Sequence, residues 1–329
     1  MENFGQLFRD FETMKVGVIG DVMLDTYIWG EVERISPEAP VPIVSLHHRE
    51  QRLGGAGNVA LNLRSMGAQP FVITVTGADD DAGCLMKLYA EKGIDTTYCF
   101  GSKSRVTTNK TRIISRNQQM MRLDAEITND LDQTDEQKLL QQFQTFLNEQ
   151  KPQVVILEDY NKGVLTETVI NGVIAMCKKS GVITAVDPKR KNFFAYKDVD
   201  IFKPNLKEVR EALNLFSVDA QIDDLRNIHK HLHAHLHHKV SFITLSEKGV
   251  FYQKDENAAI IPSHIRNIAD VSGAGDTVIA VAALVYAGRQ NVHLMAELAN
   301  IAGGLVCEEV GTAAINPSKL FHECELLLS

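Results

Sequence analysis

The run Asp-Val-Ser-Gly-Ala-Gly-Asp, residues 270–276, places a glycine turn and a carboxylate directly before an apolar segment. Residues 277–287 are apolar almost all round, which predicts a buried helix. The first N–H groups of such a helix need hydrogen-bond acceptors, and glycines let the backbone come close to a ligand that supplies them. An anion such as a phosphoryl group in transfer suits these N–H groups and the helix dipole. The predicted donors are Gly273, Ala274, Gly275 and Asp276.

The carboxylate of Asp276 would stand at the mouth of this anion site, where its charge repels an incoming phosphate. Accepting a proton from an attacking hydroxyl is a chemical reason for a carboxylate in that place. Asp276 is therefore the candidate catalytic base. The alternative is an ordinary strand–turn–helix connection in which Asp276 is a helix-end carboxylate.

A second glycine cluster, Leu-Gly-Gly-Ala-Gly-Asn at residues 53–58, precedes another helical pattern. Sugar hydroxyls could approach the bare backbone at Gly54 and Gly55, with Asn58 as a donor and acceptor. The alternative is a glycine loop with Asn58 as the helix N-cap. Neither cluster has the spacing of a dinucleotide-binding fingerprint or of a phosphate-binding P-loop, which disfavours a dehydrogenase and a P-loop kinase.

The elements needed to position these residues alternate along most of the chain. Apolar strands predicted at residues 15–20, 153–159, 182–187 and 241–246 are separated by helical patterns. This alternation predicts an α/β fold of three layers, with a doubly wound, mostly parallel sheet between helices. Stretches near 26–48 and 97–123 read instead as antiparallel β-structure, and we expect them to form a small lid on a single domain, residues 1–329.

The composition limits the classes of molecule that the protein is expected to bind. Lys and Arg number 34 against 42 Asp and Glu, a net charge of −8, which argues against nucleic acid and anionic membrane as partners. The five cysteines are widely spaced, as expected of reduced thiols. The N-terminus lacks a signal-peptide pattern, and no apolar stretch suits a membrane span, so we expect a cytoplasmic protein.

Basic residues crowd one segment of the predicted lid. Arginine suits bidentate contact with phosphate, and Lys162 follows a strand end at the edge where parallel sheets bind ligands. We expect a substrate phosphate to be held by members of the set Lys110, Arg112, Asn117 and Lys162. The alternative is a solvated, charged ribbon.

The segments Gly-Gly-Ala-Gly-Asn (54–58) and Asp-Val-Ser-Gly-Ala-Gly-Asp (270–276) together resemble the two signatures of the ribokinase (PfkB) family of sugar kinases. The resemblance covers essentially the whole chain and implies a ribokinase-like fold and ATP as phosphoryl donor. It also implies that Asp25 binds substrate hydroxyls, and that Asn205 and Glu208 support Mg²⁺ through water. Lys189 is a weaker candidate for the phosphate site. The implied nucleotide contacts are Thr244, Ser246, Gly249 and Asn300. Members often bind a monovalent cation such as K⁺, for which Asp270 is the nearest side chain; the sequence leaves that site open.

Residues 34–44, 110–124 and 157–165 narrow this resemblance to the heptose-phosphate kinases of the family. They imply phosphorylation of D-glycero-β-D-manno-heptose 7-phosphate at its anomeric hydroxyl, for lipopolysaccharide precursors. Such domains are often fused to an adenylyltransferase; here we expect the kinase alone. Another ribokinase-family substrate (a different sugar, sugar phosphate or nucleoside) and a non-catalytic sugar–nucleotide sensor are the alternatives. Because apolar β-rich lids often need a partner, we expect a homodimer through the lid.

Two further features stay open. Residues 229–238 contain histidines at helical i,i+4 spacing, a pattern that suits a transition metal but also an ordinary polar helix. Glu158 and Asp159 end a predicted strand, where they could contact Mg²⁺ or a sugar hydroxyl, or cap the following turn.

Overall fold

The structure is a computed structural model that describes residues 2–116, 118–216, 219–264 and 266–328. Its main sheet has eight strands in the order β14-β13-β12-β11-β10-β9-β1-β4. The strands from β4 to β12 in that order are parallel, and β13 and β14 run antiparallel at one edge. The bounds are β1 (Lys15–Gly20), β4 (Gln69–Ile73), β9 (Val154–Glu158), β10 (Ile183–Asp187), β11 (Ile201–Phe202), β12 (Val240–Thr244), β13 (Val250–Lys254) and β14 (Asn257–Ile261).

Helices cover both faces of this sheet, because alternate residues of each parallel strand point to opposite faces and are apolar on both. In β9, Val154 and Ile156 join one core, and Val155 and Leu157 join the other. The first core is covered by α1 (Phe4–Phe11), α2 (Ala56–Ser65), α8 (Ala274–Arg289), α9 (Val292–Val306) and α10 (Pro317–Leu328). The second is covered by α4 (Gln133–Gln150), α5 (Glu167–Ser180), α6 (Leu206–Ala212) and α7 (Ile222–Leu236). The predicted three-layer fold is confirmed.

A second sheet of four strands, in the order β3-β2-β7-β8, forms the lid. Its strands are β2 (Val22–Ile35), β3 (Pro42–Gly55), β7 (Asn109–Ser115) and β8 (Gln118–Ala125). The outer pairs are antiparallel as predicted, but β2 and β7 pair in parallel. They do so because both start at one place, where the Leu24 N–H donates to the Thr108 carbonyl over 2.8 Å, and then run the same way.

The lid also lies closer to the main sheet than the sequence pattern indicates. β2 follows β1 after a single residue, and β3 runs directly into α2. Residues 100–102, expected in the lid, instead form β6 (Phe100–Ser102), which pairs with β5 (Val75–Gly77) beside α3 (Asp80–Glu91). The first glycine cluster therefore lies where the lid joins the main domain. Among the described residues, no helix is long and apolar enough to cross a membrane.

Candidate active site

The helix predicted after the second glycine cluster is α8, and its N-cap is Gly273. Gly273 has φ +80°, and a Cβ there would lie 2.6 Å from the Asn58 amide nitrogen, so only glycine fits this position. Residues Asp276 to Tyr286 are buried, as predicted for this helix. The Ala274 N–H already donates to the Val271 carbonyl over 3.3 Å, so this predicted donor is also used within the turn.

Asp276 is 2% exposed, and both of its carboxylate oxygens accept hydrogen bonds. The Asn58 amide donates to Oδ2 over 2.8 Å, and the Tyr160 hydroxyl donates to Oδ1 over 2.7 Å. Burial raises the pKa of Asp276 to about 6, an effect that these two donors oppose and that the nearby Asp187 carboxylate reinforces. Asp276 is therefore mostly ionised at neutral pH and suited to accept a proton.

The first glycine cluster places Asn58 against Asp276. Gly54 and Gly55 end β3, Gly55 is the N-cap of α2, and Asn58 lies buried in the first turn of that helix. The alternative of Asn58 as the N-cap is therefore wrong. Its amide nitrogen is directed at the carboxylate, so a direct contact with a sugar hydroxyl stays a prediction.

A buried carboxylate that the sequence analysis missed, Asp21, holds the loop carrying Tyr160. Asp21 directly follows β1 and accepts the backbone N–H groups of Tyr160, Lys162 and Val164 over 2.8, 2.9 and 3.1 Å. A carboxylate at the end of an apolar strand was the signal available in the sequence. The loop that carries Tyr160 is thereby fixed against the end of β1.

The adjacent Glu158 and Asp159, whose roles the sequence left open, differ in their surroundings. Asp159 caps the turn, accepting the Asn161 N–H and the Tyr196 hydroxyl, each over 2.7 Å. Glu158 is fully buried, and neither of its carboxylate oxygens has a hydrogen-bond partner in the described part of the chain. Burial, with Asp187 and Asp276 nearby, raises its pKa well above the usual value.

Two ammonium groups flank the predicted phosphoryl site. Asp187, at the end of β10, pairs with Lys189 over 3.0 Å and with Lys203 over 2.8 Å. Burial favours a higher pKa for Asp187, but these two lysines outweigh it, and the pKa lies below its usual value. A Cβ on Gly275 would lie 3.6 Å from Asp187 and 3.8 Å from Lys203, so the glycine turn borders both charges. The sequence analysis included Lys189 and missed Lys203.

Asn205 and Glu208 form a reciprocal capping box at the start of α6. The Asn205 side chain accepts the Glu208 N–H, and the Glu208 carboxylate accepts the Asn205 N–H, both over 2.8 Å. The second Glu208 oxygen lies 2.9 Å from Lys189. The capping box accounts for the spacing of this pair, and its support of Mg²⁺ through water stays a prediction.

A cavity of about 730 Å³ opens beside the N-terminus of α8, a volume that suits a nucleotide. Six of the residues predicted for phosphate or nucleotide line it together: Ala274, Gly275, Thr244, Ser246, Gly249 and Asn300. The Asn300 amide donates to the Pro262 carbonyl over 2.8 Å and so fixes one wall. Gly275 borders both this cavity and the Asp187–Lys203 pair, so the cavity and these charges meet at the glycine turn beside Asp276.

On the lid side, Asp25 and Arg112 form an ion pair of 2.5 Å. Gly54 is required here, since a Cβ would lie 2.3 Å from the Asp25 carboxylate. Arg112 and Arg52 both lie over the Tyr27 ring, at 5.2 and 5.0 Å. Arg52, which the sequence analysis missed, also donates to the Val310 carbonyl over 2.9 Å and so ties the lid to the main domain.

The other predicted phosphate ligands lie at the base of the lid. Lys162 pairs with Glu126 over 2.8 Å. The pKa of Lys110 is lowered by burial and by the nearby Lys162 ammonium group. Asn117 lies outside the described residues.

Asp270, predicted near a monovalent cation, fastens two loop segments. One carboxylate oxygen accepts the Ser272 N–H over 3.0 Å, and the other accepts the Gly311 N–H over 3.0 Å. Burial alone would raise the pKa of Asp270, but these hydrogen bonds lower it below its usual value. Binding of a cation there stays a prediction.

Histidines of the predicted polar helix form a cluster at the end of α7. His229 and His238 lie 2.8 and 2.6 Å from the Ser241 hydroxyl, and the His233 ring lies 5.6 Å from that of His229. No group of three or more His, Cys, Asp or Glu side chains suited to a metal ion occurs in the described ranges.

Solved structures of sugar kinases share this fold. Phosphofructokinase-2 from Escherichia coli in complex with potassium matches with a TM-score of 0.77 at 18% identity, over 95% of this chain and 100% of that one. Arabidopsis thaliana ribokinase complexed with ribose and ATP matches with a TM-score of 0.71 at 16% identity, over 94% and 98% of the two chains. The fold and the site together define the class of ATP-dependent carbohydrate kinases.

Sequence comparison gives the family. Residues 14–319 match the pfkB family carbohydrate kinases, so the chain belongs to that family. Relatives named bifunctional protein HldE are 36% identical over 322 residues in Geobacter sulfurreducens and 40% identical over 308 residues in Methylobacillus flagellatus. The alignments cover 97% and 94% of this chain but only 64% and 62% of those relatives.

Proposed function

We propose that the protein transfers the γ-phosphoryl group of ATP to the anomeric hydroxyl of D-glycero-β-D-manno-heptose 7-phosphate. The products would be the heptose 1,7-bisphosphate and ADP, and the resemblance to heptose-phosphate kinases supports a role for this step in the synthesis of lipopolysaccharide precursors. The observation that carries the chemistry is Asp276, buried at the N-terminus of α8 between Asn58 and Tyr160.

In this reaction Asp276 takes the proton from the C1 hydroxyl while that oxygen forms its bond to the γ-phosphorus. The bond from the γ-phosphorus to the bridging oxygen breaks, and ADP leaves. The N–H groups of the Gly273–Asp276 turn and the Lys189 and Lys203 ammonium groups face the negative charge on the transferring group. A preorganised donor at such a position is typically worth about 3–4 kcal/mol.

The site suits a divalent cation such as Mg²⁺, which prefers oxygen ligands and keeps several waters. The two buried oxygens of Glu158, which lack partners among the described residues, and the Glu208 carboxylate would hold it with its waters, alongside Asn205. When bound, the cation neutralises charge on the phosphate oxygens. We further propose that Asp270 helps to hold a monovalent cation such as K⁺ beside the glycine turn.

The proposed sugar-phosphate pocket lies between the lid and the loop after β9. Asp25, held by Arg112, would bind sugar hydroxyls. The Lys162 ammonium group lies close enough to lower the pKa of Lys110, while Glu126, which pairs with Lys162, and Asp124 act in the opposite direction. A substrate phosphate would relieve the repulsion between these ammonium groups, and this favours an acceptor that already carries a phosphate.

The lid would also join two copies of the chain. Its strands expose large apolar side chains, and the exposure of such side chains to water is unfavourable in a monomer. On the strands these are Ile35, Leu46, Met120, Met121 and Leu123, and Val41 adds to them from the connection between β2 and β3. We propose a homodimer through this surface.

The experiment that tests the proposed acceptor is ADP release measured with heptose 7-phosphate and with the unphosphorylated heptose. We expect kcat/KM to be about 100-fold higher for the phosphorylated sugar, since two charge-assisted contacts are at stake. Lys162→Ala should remove most of this preference, whereas Lys191→Ala, which breaks an exposed pair with Asp130, should keep it. Equal rates with the two sugars would overturn the proposed pocket.

A further inference from the structure

The roles proposed above for the site residues do not account for the hydrogen bond between Tyr160 and Asp276. Tyr160 is not among the residues of either glycine signature, and it lies 116 residues from Asp276 in the chain. Its hydroxyl donates to Oδ1 over 2.7 Å, on the side of the carboxylate that Asn58 leaves open.

The position of Tyr160 is fixed from three directions. Its backbone N–H is held by the buried Asp21 over 2.8 Å. A Cβ on Gly55 would lie 3.5 Å from its ring, and the Lys189 ammonium group lies 5.4 Å from the ring centroid. A tyrosine that is fixed in this way determines where the Asp276 carboxylate points, because the carboxylate can rotate only by breaking the hydrogen bond.

We infer that Tyr160 is a positioning residue for the base: its hydroxyl holds Asp276 in the ionised form and in the orientation that receives the substrate proton. This inference rests on the proposed role of Asp276. Without the hydroxyl, one oxygen of a buried carboxylate would lose its donor, and a buried charge without hydrogen bonds is strongly disfavoured.

The charged groups around Asp276 act in both directions. Burial and the Asp187 carboxylate favour the protonated acid, while Asn58, Tyr160 and Lys203 favour the carboxylate. Glu158 also lies near Asp276, and both Glu158 and Lys189 interact with Asp187. Tyr160 itself stays a hydroxyl at working pH, since burial and the nearby Asp276 carboxylate raise its pKa well above the usual value.

The test is the pH profile of kcat/KM for Tyr160→Phe, measured with whichever sugar of a panel the wild type phosphorylates fastest. The wild-type acid limb should fall near the pKa of Asp276, about 6. In Tyr160→Phe it should move up by about one pH unit, the equivalent of one hydrogen bond to a charged group. At pH 8.5, which is about 2.5 units above the wild-type pKa and about 1.5 units above that expected for the variant, the variant should recover to within about threefold of the wild type.

Tyr196→Phe is the matched control, because the Tyr196 hydroxyl is also buried and donates over 2.7 Å to a carboxylate, that of Asp159. Its acid limb should stay at the wild-type pH. If Tyr160→Phe does not fold, a fluorinated tyrosine at position 160 replaces it; this stronger donor should move the limb to lower pH.

An unchanged limb with a uniform loss of rate at every pH would overturn the inference, since it would mean that Tyr160 only supports the structure. Failure of the proposed function looks different. If a sugar panel shows another sugar to be the best substrate, the proposed acceptor is wrong but the Tyr160 test stays valid. If Asp276→Asn is active, Asp276 is not the base, and the inference about Tyr160 fails with it.

Discussion

The Asn58 amide donates to the Asp276 carboxylate over 2.8 Å and so joins two glycine clusters that lie 218 residues apart in the chain. Each cluster supplies what this contact needs. Gly55 is the N-cap of α2 and Gly273 is the N-cap of α8, and a Cβ on Gly273 would displace the Asn58 amide. The two signatures therefore form one structural unit around the proposed base.

Removing the Asn58 amide should slow the reaction because the Asp276 carboxylate loses a donor. For Asn58→Ala we expect kcat to fall about 10- to 100-fold at pH 7, from a hydrogen bond to a charged group. Steady-state rates at pH 7 and pH 8.5 check this, and part of the loss should disappear at the higher pH. Asn291→Ala, which removes the remote cap of α9, should keep kcat; equal losses in both variants would contradict the prediction.

Glu208→Gln separates the capping role of Glu208 from its proposed role toward Mg²⁺. Glutamine also completes a capping box, so the start of α6 is kept. The lost ion pair with Lys189, which Asp187 still pairs, should lower the free energy of unfolding by only about 1 kcal/mol. The lost charge should raise the Mg²⁺ concentration needed for half-maximal rate by about tenfold. Titration of the rate with Mg²⁺ and thermal unfolding measure the two effects. Glu211→Gln, on the exposed face of α6, is the control, and an unchanged Mg²⁺ requirement would exclude Glu208 from that role.

The histidine cluster should make the protein less stable in mild acid. Burial lowers the pKa of His229 to about 4 and that of His238 to about 3, from 6.5 in the unfolded chain. The unfolded chain therefore binds protons that the folded one cannot, and the contribution to stability, complete above pH 6.5, falls as the pH drops toward 4.

Thermal unfolding between pH 7.5 and 5 tests this contribution. The raised pKa values of Asp159 and Asp276 act in the opposite direction, so the quantity to compare is the slope of Tm against pH. His238→Gln should have a smaller loss of Tm on acidification than the wild type. The exposed His231→Gln should match the wild type, and identical slopes in all three proteins would contradict the prediction.

A charge at an exposed apolar position of the lid should dissociate the proposed dimer. Leu46 is 60% exposed on β3, and Leu46→Asp would bury a charge in the interface. Analytical ultracentrifugation should show a shift toward the monomer by at least tenfold in Kd. Leu326→Asp, at a position 71% exposed on α10, should leave the assembly unchanged. A monomeric wild type would contradict the proposal.

The main sheet and the two glycine signatures could be predicted because their patterns are local. Apolar runs such as 15–20 and 153–159 show strands that are buried on both faces, and a fully apolar helix such as α8 has to lie in the core. The capping box of Asn205 and Glu208 could also be predicted from the sequence, since a capping residue followed three positions later by Glu is its signature.

The contacts that complete the site could not be predicted, because they depend on residues far apart in the chain. Tyr160 reaches Asp276 only after β9 and α8 have packed together. Lys203 lies within a segment that reads as the end of a strand, and its pairing with Asp187 follows from the parallel register of β10 and β11. Likewise, the parallel pairing of β2 and β7 depends on where both strands leave the main sheet.

The most direct test of the central claim is the turnover of Asp276→Asn. Asparagine keeps the shape of the side chain and one hydrogen-bond-accepting oxygen, but it cannot take up the proton of the sugar hydroxyl. With heptose 7-phosphate and ATP, we expect kcat to fall about 10²- to 10⁴-fold while the fold and ATP binding are retained. A variant that folds, binds ATP and turns over at nearly the wild-type rate would show that Asp276 is not the base.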